Sequence, residues 1–596
     1  MTKMTSQASE RKPIPAAGLQ WWQISRLERQ GCSASSWEEV SVHPDTDLSL
    51  IRDVEFIGHN SVGLLDESVY PGCRLQNLTA EDCVFGNGVR VKNINRHLKG
   101  VTVEEEAVIE NTAAIEFEPE ALCGAGTAVA VLDETGSRPV TIYPGLTAQS
   151  AMLCARLPRQ AEETLNPQAQ AFYDEHPIPF SIGRKARVID CGELRNVNVG
   201  PEVTVKGARA LTNGSIINNA APGRCLAYVG PGVDADSFII EDGVVDSGAL
   251  LRNVYVGQGA RLEKGYTAHD SLFFANCSME NGEACAFFAG PYTVSMHKGS
   301  LLIGCQTSFM NAGSSTNQSN HMYKLGPVHW GVLERGVKTS SNSYLMLGAK
   351  IGAFSLLMGQ HKTHPDSTEF PFSYLFGDAQ GATVVVPAMM LRSCGLMRDQ
   401  TKWPTRDRRQ KRKLPLHDRI CFEVLNPYTI DKILTALHTI EELLRLPADD
   451  DRFIRYKGMK ISRASLERAK KLYSVAVYKY LDTKLEEGRF SPNATPSADG
   501  RAEQWIDLAG QLVPRHILTE VLEAESLEQR EQILDAAFEN YPELEKQWLA
   551  SRLPAEWHRS REFIKEAASE FDHIVETDRQ NYRDSLTAEN EMLSLF

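Results

Sequence analysis

Twelve cysteines are scattered through 596 residues without a single C-x-x-C pair. That absence argues against a zinc ribbon or a disulfide framework, and the cysteines read as reduced thiols. A basic excess is missing too: 63 Lys and Arg face 77 Asp and Glu, a net charge of −14, the wrong sign for a general nucleic-acid or anionic-membrane binder. No long hydrophobic run exists; the most apolar stretch, "ALCGAGTAVAVL" (121–132), falls well short of the ~20 residues a membrane span needs. The opening "MTKMTSQASERKPIPAAGLQWWQISR" lacks the apolar core of a secretory signal. The expectation is a cytoplasmic protein with no membrane and no nucleic-acid partner. At 42% hydrophobic and 23% charged, the composition is that of a folded chain rather than a disordered one.

What is present is a period of six. From Val233 the sequence reads VDADSF, IIEDGV, VDSGAL, LRNVYV, so that Val233, Ile239, Val245 and Leu251 recur at strict spacing. The register shows again at Val199, Val205, Leu211 and Ile217, at Val103, Ile109 and Ile115, and at Leu345, Ile351 and Leu357. Neither a helix nor a single strand repeats at six. A short strand followed by a tight corner does, with the aliphatic residue inside, Gly, Asn or Asp at the corner where positive φ is cheap, and equivalent positions stacking one coil later. Three sides of six imply a coil of eighteen residues.

Val256-Gly257-Gln258-Gly259-Ala260-Arg261, Ile57-Gly58-His59-Asn60-Ser61-Val62 and Ile351-Gly352-Ala353-Phe354-Ser355-Leu356 resemble the repeat of the hexapeptide-repeat superfamily. The whole chain is similar to a family of long bacterial hexapeptide-repeat proteins, some of which carry a label akin to UDP-N-acetylglucosamine pyrophosphorylase. The resemblance implies a mainly β fold, a left-handed parallel β-helix, followed here by an α-helical C-terminal domain. The expected divisions are an irregular N-terminal cap (1–45), a hexapeptide solenoid (46–400) with an excursion around 117–185, a basic linker (401–425) and a helical domain (426–596). Trp21 and Trp22 read as part of a short helix capping one end. The linker carries Lys402, Arg406, Arg408, Arg409, Lys411, Arg412 and Lys413 against Asp407 alone. It reads as a solvated segment pairing with acidic helices, or as a phosphate patch. Beyond it the period becomes 3.6, with helices expected over 427–446, 462–487, 502–523, 527–551 and 555–592.

Chemistry-bearing residues concentrate where the aliphatic register lapses, in "SNHMYKLGPVHWG" (319–331) and "GQHKTHPDSTEFPF" (359–372). His321, His329 and His361 are the catalytic candidates, because an imidazole suits general-base work near neutral pH. Asn311, Asn317, Asn320, Tyr323, Lys324, Trp330, Arg335 and His364 are the substrate-binding candidates: amides for hydroxyls, Lys324 or Arg335 for a phosphate, Trp330 or Tyr323 as a stacking surface. Stacked coils would bring both stretches together on the outside of the prism. Acyltransferases of the superfamily use such a histidine to deprotonate a sugar amine or hydroxyl that attacks a thioester. The resemblance therefore implies a transferase acting on a sugar or nucleotide-sugar, with acyl-CoA as a candidate donor. A non-catalytic ligand-binding scaffold is the alternative, and a homo-oligomer is left open. His361-x-x-His364, with His329 and Asp366, is a weaker reading as a metal site. "CGAGTA" (123–128) looks like the glycine-rich loop of sugar nucleotidyltransferases, but the preceding αβ domain and the following lysine of that motif are absent. A pyrophosphorylase-like activity is therefore disfavoured.

Overall fold

A computed structural model describes residues 17–319, 330–446, 453–492 and 504–593. Its centre is a long stack of parallel strands, more than thirty of them in one sheet. Three ladders run the length of the stack. The first passes through Ile51, Leu75, Val91, Ile109, Val188, Val205, Val229, Val245, Leu262 and Met279. The second passes through Ile115, Leu194, Leu211, Ala235, Leu251, Ala268, Ala284 and Leu302. The third joins Val42, Val62, Phe85, Val103, Ile182, Val199, Ile216, Ile240, Val256, Phe273 and Ala289. Val233, Val245 and Leu251 are fully buried, as the six-residue register requires, but on the third side the register slips by one: the ladder passes through Ile216 and Ile240, so Ile217 and Ile239 lie on the opposite face of their strands.

The expected coil of eighteen residues holds from Val91 to Ile109, from Ala284 to Leu302 and from Lys338 to Leu356, while the coils between Val229 and Met279 are shorter. Val229, Val245, Leu262 and Met279 are successive partners, so one circuit there takes 16 or 17. The reason is the corner. Ladder pairing runs through Leu250, Leu251 and Arg252, skips Asn253, and resumes at Val254. Asn253 alone makes the bend, at φ 52°. Asn, Asp, Ser and Gly dominate such corners because positive φ costs other side chains roughly 1–2 kcal/mol. At one edge they form a ladder of their own: Asn77 Nδ2 donates to Asn93 Oδ1 (3.3 Å), Asn93 to Asn111 (3.0 Å) and Asn111 to Asp190 (3.0 Å).

The excursion is real, because Val103 pairs directly with Ile182 across it. It holds a hairpin (Ala128–Ala130 with Pro139–Thr141) and two longer helices, Ala148–Arg156 and Asn166–Glu175. The helix Trp21–Arg29 forms as expected, but it buries Leu27 while Trp21 and Trp22 face solvent.

The C-terminal part departs from an all-helical reading. Helices Pro427–Arg445 and Arg463–Glu486 start at Asn426 and Ser462, whose side chains accept from Thr429 N and Ser465 N. Two β-hairpins interrupt the helices. Met459–Ser462 pairs with Thr383–Val386 and so extends the sheet at the last coil, while Trp505–Leu508 and Gln511–Pro514 form a separate pair. Helices Arg515–Glu523, Leu527–Glu539, Tyr541–Arg552 and Arg561–Leu593 follow. One contiguous apolar core unites stack, excursion and helices.

The basic run is no linker. It folds as the helices Cys394–Thr405 and Arg408–Arg412, laid on the outer face of the first ladder. Arg409 is buried against Asp407 at 2.9 Å, and the Arg408 guanidinium donates to the carbonyls of Gly259 and Cys277 and to Ser278 Oγ. Lys411, Arg412 and Lys413 remain exposed. No helix among the described residues is long and apolar enough to cross a membrane.

Candidate functional site

The two polar stretches do not form one outer pocket through His361. That residue follows Leu345 by one coil and pairs with it in the second ladder, which turns its imidazole into the prism. It is fully buried, with Nδ1 2.9 Å from Thr383 Oγ1 and, among the described residues, no hydrogen-bond partner for Nε2. Burial pushes its pKa down to about 4. A general base on the outer face is therefore excluded for His361. His364 lies exposed beside Gly348, so the pair does not converge as metal ligands. Among the described residues no group of three or more His, Cys, Asp and Glu could hold a metal ion. Asn320, His321, Tyr323, Lys324 and His329 lie outside the described residues.

Arg335 is a structural pin rather than a phosphate ligand. It is 1% exposed, donates to the Cys421 carbonyl, and packs its guanidinium 5.1 Å from the Phe309 ring. Asn317 begins a second-ladder strand, with Oδ1 buried and without a hydrogen-bond partner among the described residues. Trp330 is half-buried on the third-ladder side, beneath Arg138 and Arg156. The glycine-rich 123–128 segment is packing too: a side chain on Gly124 would lie 2.3 Å from the Phe238 carbonyl oxygen, and the Cys123 carbonyl accepts from Ser215 Oγ. A loop pressed against backbone has no room for a phosphate.

Asn311 does reach a concavity. It is exposed, and bridges Val294 on one coil to Lys338 on the next. Ser278, Val294, Asn311 and Lys338 form the floor of a groove of about 390 Å³. Its wall is Asp399, Trp403 and Arg406, from the helix that straps the first ladder, and Met296 and His297 stand exposed at its rim. Trp403 is half-buried, with its ring 4.8 Å from Phe309, and its carbonyl accepts from Tyr292 OH at 3.0 Å. Lys338 and Asp399 pair inside the groove. Arg406 is exposed and has no ion pair among the described residues.

The wall is anchored from below. Asn276 Nδ2 donates to Asp407 at 2.9 Å and its Oδ1 accepts from Arg408 N at 3.0 Å. Burial alone would raise the Asp407 pKa, but Arg409 and Asn276 outweigh it and hold the carboxyl below its usual range. Burial raises the Tyr292 phenol, so it stays a neutral donor. The arrangement offers a flat aromatic surface, an amide, an ion pair and a free cation around one space. That is a lining for a polar ring bearing an anionic group.

Sequence reasoning found Asn311 and missed His297, Trp403, Lys338 and Asp399. Trp403 and Asp399 are far in sequence from the coils they cover, and only the density of charge at 402–413 hinted at that strap. No curated protein matches the chain. A family model described as "Domain of unknown function (DUF4954)" matches residues 18–444, which takes in the stack, the excursion and the straps that wall the groove. Since that match covers well over half of the sequence, the chain belongs to the DUF4954 family.

Proposed function

We propose that this protein is a left-handed parallel β-helix of the hexapeptide-repeat kind that binds a sugar or nucleotide-sugar in the Trp403 groove and transfers an acyl group to it. One observation carries the reading: Trp403, Asn311, the Lys338–Asp399 pair and Arg406 line a single groove on the outer face of the stack. Trp403 supplies the stacking face for a sugar ring, Asn311 and Asp399 take its hydroxyls, and Arg406 holds a phosphate. His297 stands at the rim and is the described imidazole placed to accept a proton from the sugar hydroxyl or amine. That oxygen or nitrogen attacks the acyl carbonyl of a thioester such as acyl-CoA, the thiolate leaves, and the proton passes from the imidazole to the sulfur. His321 and His329 are the sequence candidates for the same role. Twelve free cysteines agree with a reducing cytoplasm.

The buried His361 favours the non-catalytic scaffold as second reading, since it removes one of three expected bases. Thermal melting of the full chain with UDP-N-acetylglucosamine, acetyl-CoA or both separates the cases. A ligand at 100 times its Kd stabilises by about 2.7 kcal/mol. The expected result is a rise in Tm with the nucleotide-sugar that Asn311→Ala and Arg406→Ala remove, and acetyl transfer that His297→Ala removes. A rise without transfer leaves the scaffold, and no rise with any sugar nucleotide refutes the groove.

A further inference from the structure

On the third-ladder side of the molecule, away from the groove, two arginines of the excursion converge on one indole. The Arg138 guanidinium carbon lies 4.7 Å from the centre of the Trp330 ring and that of Arg156 lies 5.0 Å from it. These distances keep the two cationic groups within about 10 Å of each other. One arginine belongs to the hairpin region before Pro139, the other ends the helix Ala148–Arg156, so the excursion brings both to the stack. Each spends one N–H on a neutral acceptor: Arg138 on the Ala155 carbonyl at 3.0 Å, Arg156 on Gln306 Oε1 at 3.0 Å. The remaining donors of both forks have no carboxylate among the described residues.

That is unusual in a chain with 77 acidic residues against 63 basic ones. The two carboxylates whose charge acts on these arginines, Asp133 and Glu334, are already engaged. Asp133 accepts from Thr135 N (2.9 Å), Thr135 Oγ1 (2.7 Å) and Ser137. Glu334 is held by Lys432 at 2.9 Å and by Ala353 N at 3.0 Å. Residues 320–329, which lead into Trp330, contain no Asp or Glu at all. A cation over an indole is attractive, but two like charges over one indole repel, and an anion bridging both would remove the conflict. Planar forks with several free N–H groups match phosphate oxygens in pairs.

We propose that Arg138, Arg156 and Trp330 form a second ligand site, distinct from the groove, that binds the diphosphate group of a nucleotide or of free pyrophosphate. Each arginine takes one phosphate, Gln306 fixes the Arg156 fork, and the indole holds both guanidiniums in place. Arg156 is exposed and Arg138 half-buried, so the site is open to solvent.

The test is a titration of the full chain with inorganic pyrophosphate, UDP and inorganic phosphate, followed by calorimetry and by tryptophan emission. Pyrophosphate and UDP should bind more tightly than inorganic phosphate, and the emission change should vanish in Trp330→Phe. Arg138→Gln/Arg156→Gln should weaken both ligands by at least about tenfold per arginine removed. Should the double variant fail to fold, Arg138→Gln alone should still lose about tenfold. Arg159→Gln, at an exposed arginine paired with Glu163, should leave pyrophosphate binding intact. The inference is overturned if neither pyrophosphate nor UDP binds, or if the folded arginine variants bind both as tightly as the parent. UDP binding that depends on Arg406 but not on Arg138 or Arg156 would leave the groove standing and overturn this site.

Discussion

Two halves of the same interior column behave differently. In the second ladder, Leu211, Ala235, Leu251, Ala268, Ala284 and Leu302 follow one another with no polar atom among their side chains. The next positions in that column are Gln318, Leu345 and His361. Gln318 is fully buried with neither amide atom hydrogen-bonded among the described residues, and among them His361 leaves Nε2 bare. The first half is built to stack. The second half gives up apolar burial in the coils that lie under the groove and beside Trp330, a cost that repetition alone does not require.

Four variants break or sharpen that contrast. The largest effect is expected for Val245→Asp, which buries an unpaired charge in the regular half and should destabilise by more than about 4 kcal/mol. Melting unchanged from the parent would sink the inward assignment of the first ladder. Next comes His361, whose pKa is lowered to about 4 by burial. The unfolded chain takes up this proton at a higher pH than the fold does, so stability is lost as pH falls from about 6.5 towards 4. The loss should reach about 3 kcal/mol below pH 4. His361→Leu/Thr383→Val should flatten that part of the pH–stability curve, and an unaltered slope would show that other groups set it. Asn93→Ala places a side chain that disfavours positive φ at a corner and cuts the Asn77–Asn93–Asn111 chain, for a loss of about 1–2 kcal/mol. Denaturant unfolding with no change would mean that the corner does not need asparagine. The smallest effect has the opposite sign: Gln318→Leu should stabilise by about 1 kcal/mol, since both its amide atoms are unpaired. A marked loss of stability would show that ordered water satisfies the amide.

The stack was legible because each coil needs an aliphatic residue at fixed intervals and the sequence supplies it. A coil of eighteen holds at Val91–Ile109 and Ala284–Leu302 but is one or two residues too long between Val229 and Met279, because a one-residue corner such as Asn253 is invisible when hexads are merely counted. The polar neighbours of His361 suggest an outer-face position, yet its spacing of one coil from Leu345 marks it as an inward one. The stretch "WIDLAGQLVP" falls inside the helix expected over 502–523, but Ala509-Gly510, both at positive φ, turn it into a hairpin. The groove was the least legible feature. Its walls come from residues more than fifty positions apart, and no local pattern records that the strap at 394–412 lies on the coils at 278–338.

The central claim is that the Trp403 groove receives a sugar, and a crystal structure of the full chain grown with UDP-N-acetylglucosamine tests it most directly. The expected result is electron density for the sugar ring against the Trp403 indole, with Asn311 and Asp399 on its hydroxyls and Arg406 on the phosphate next to it. Density for the whole ligand elsewhere, with the groove filled only by solvent, would contradict it.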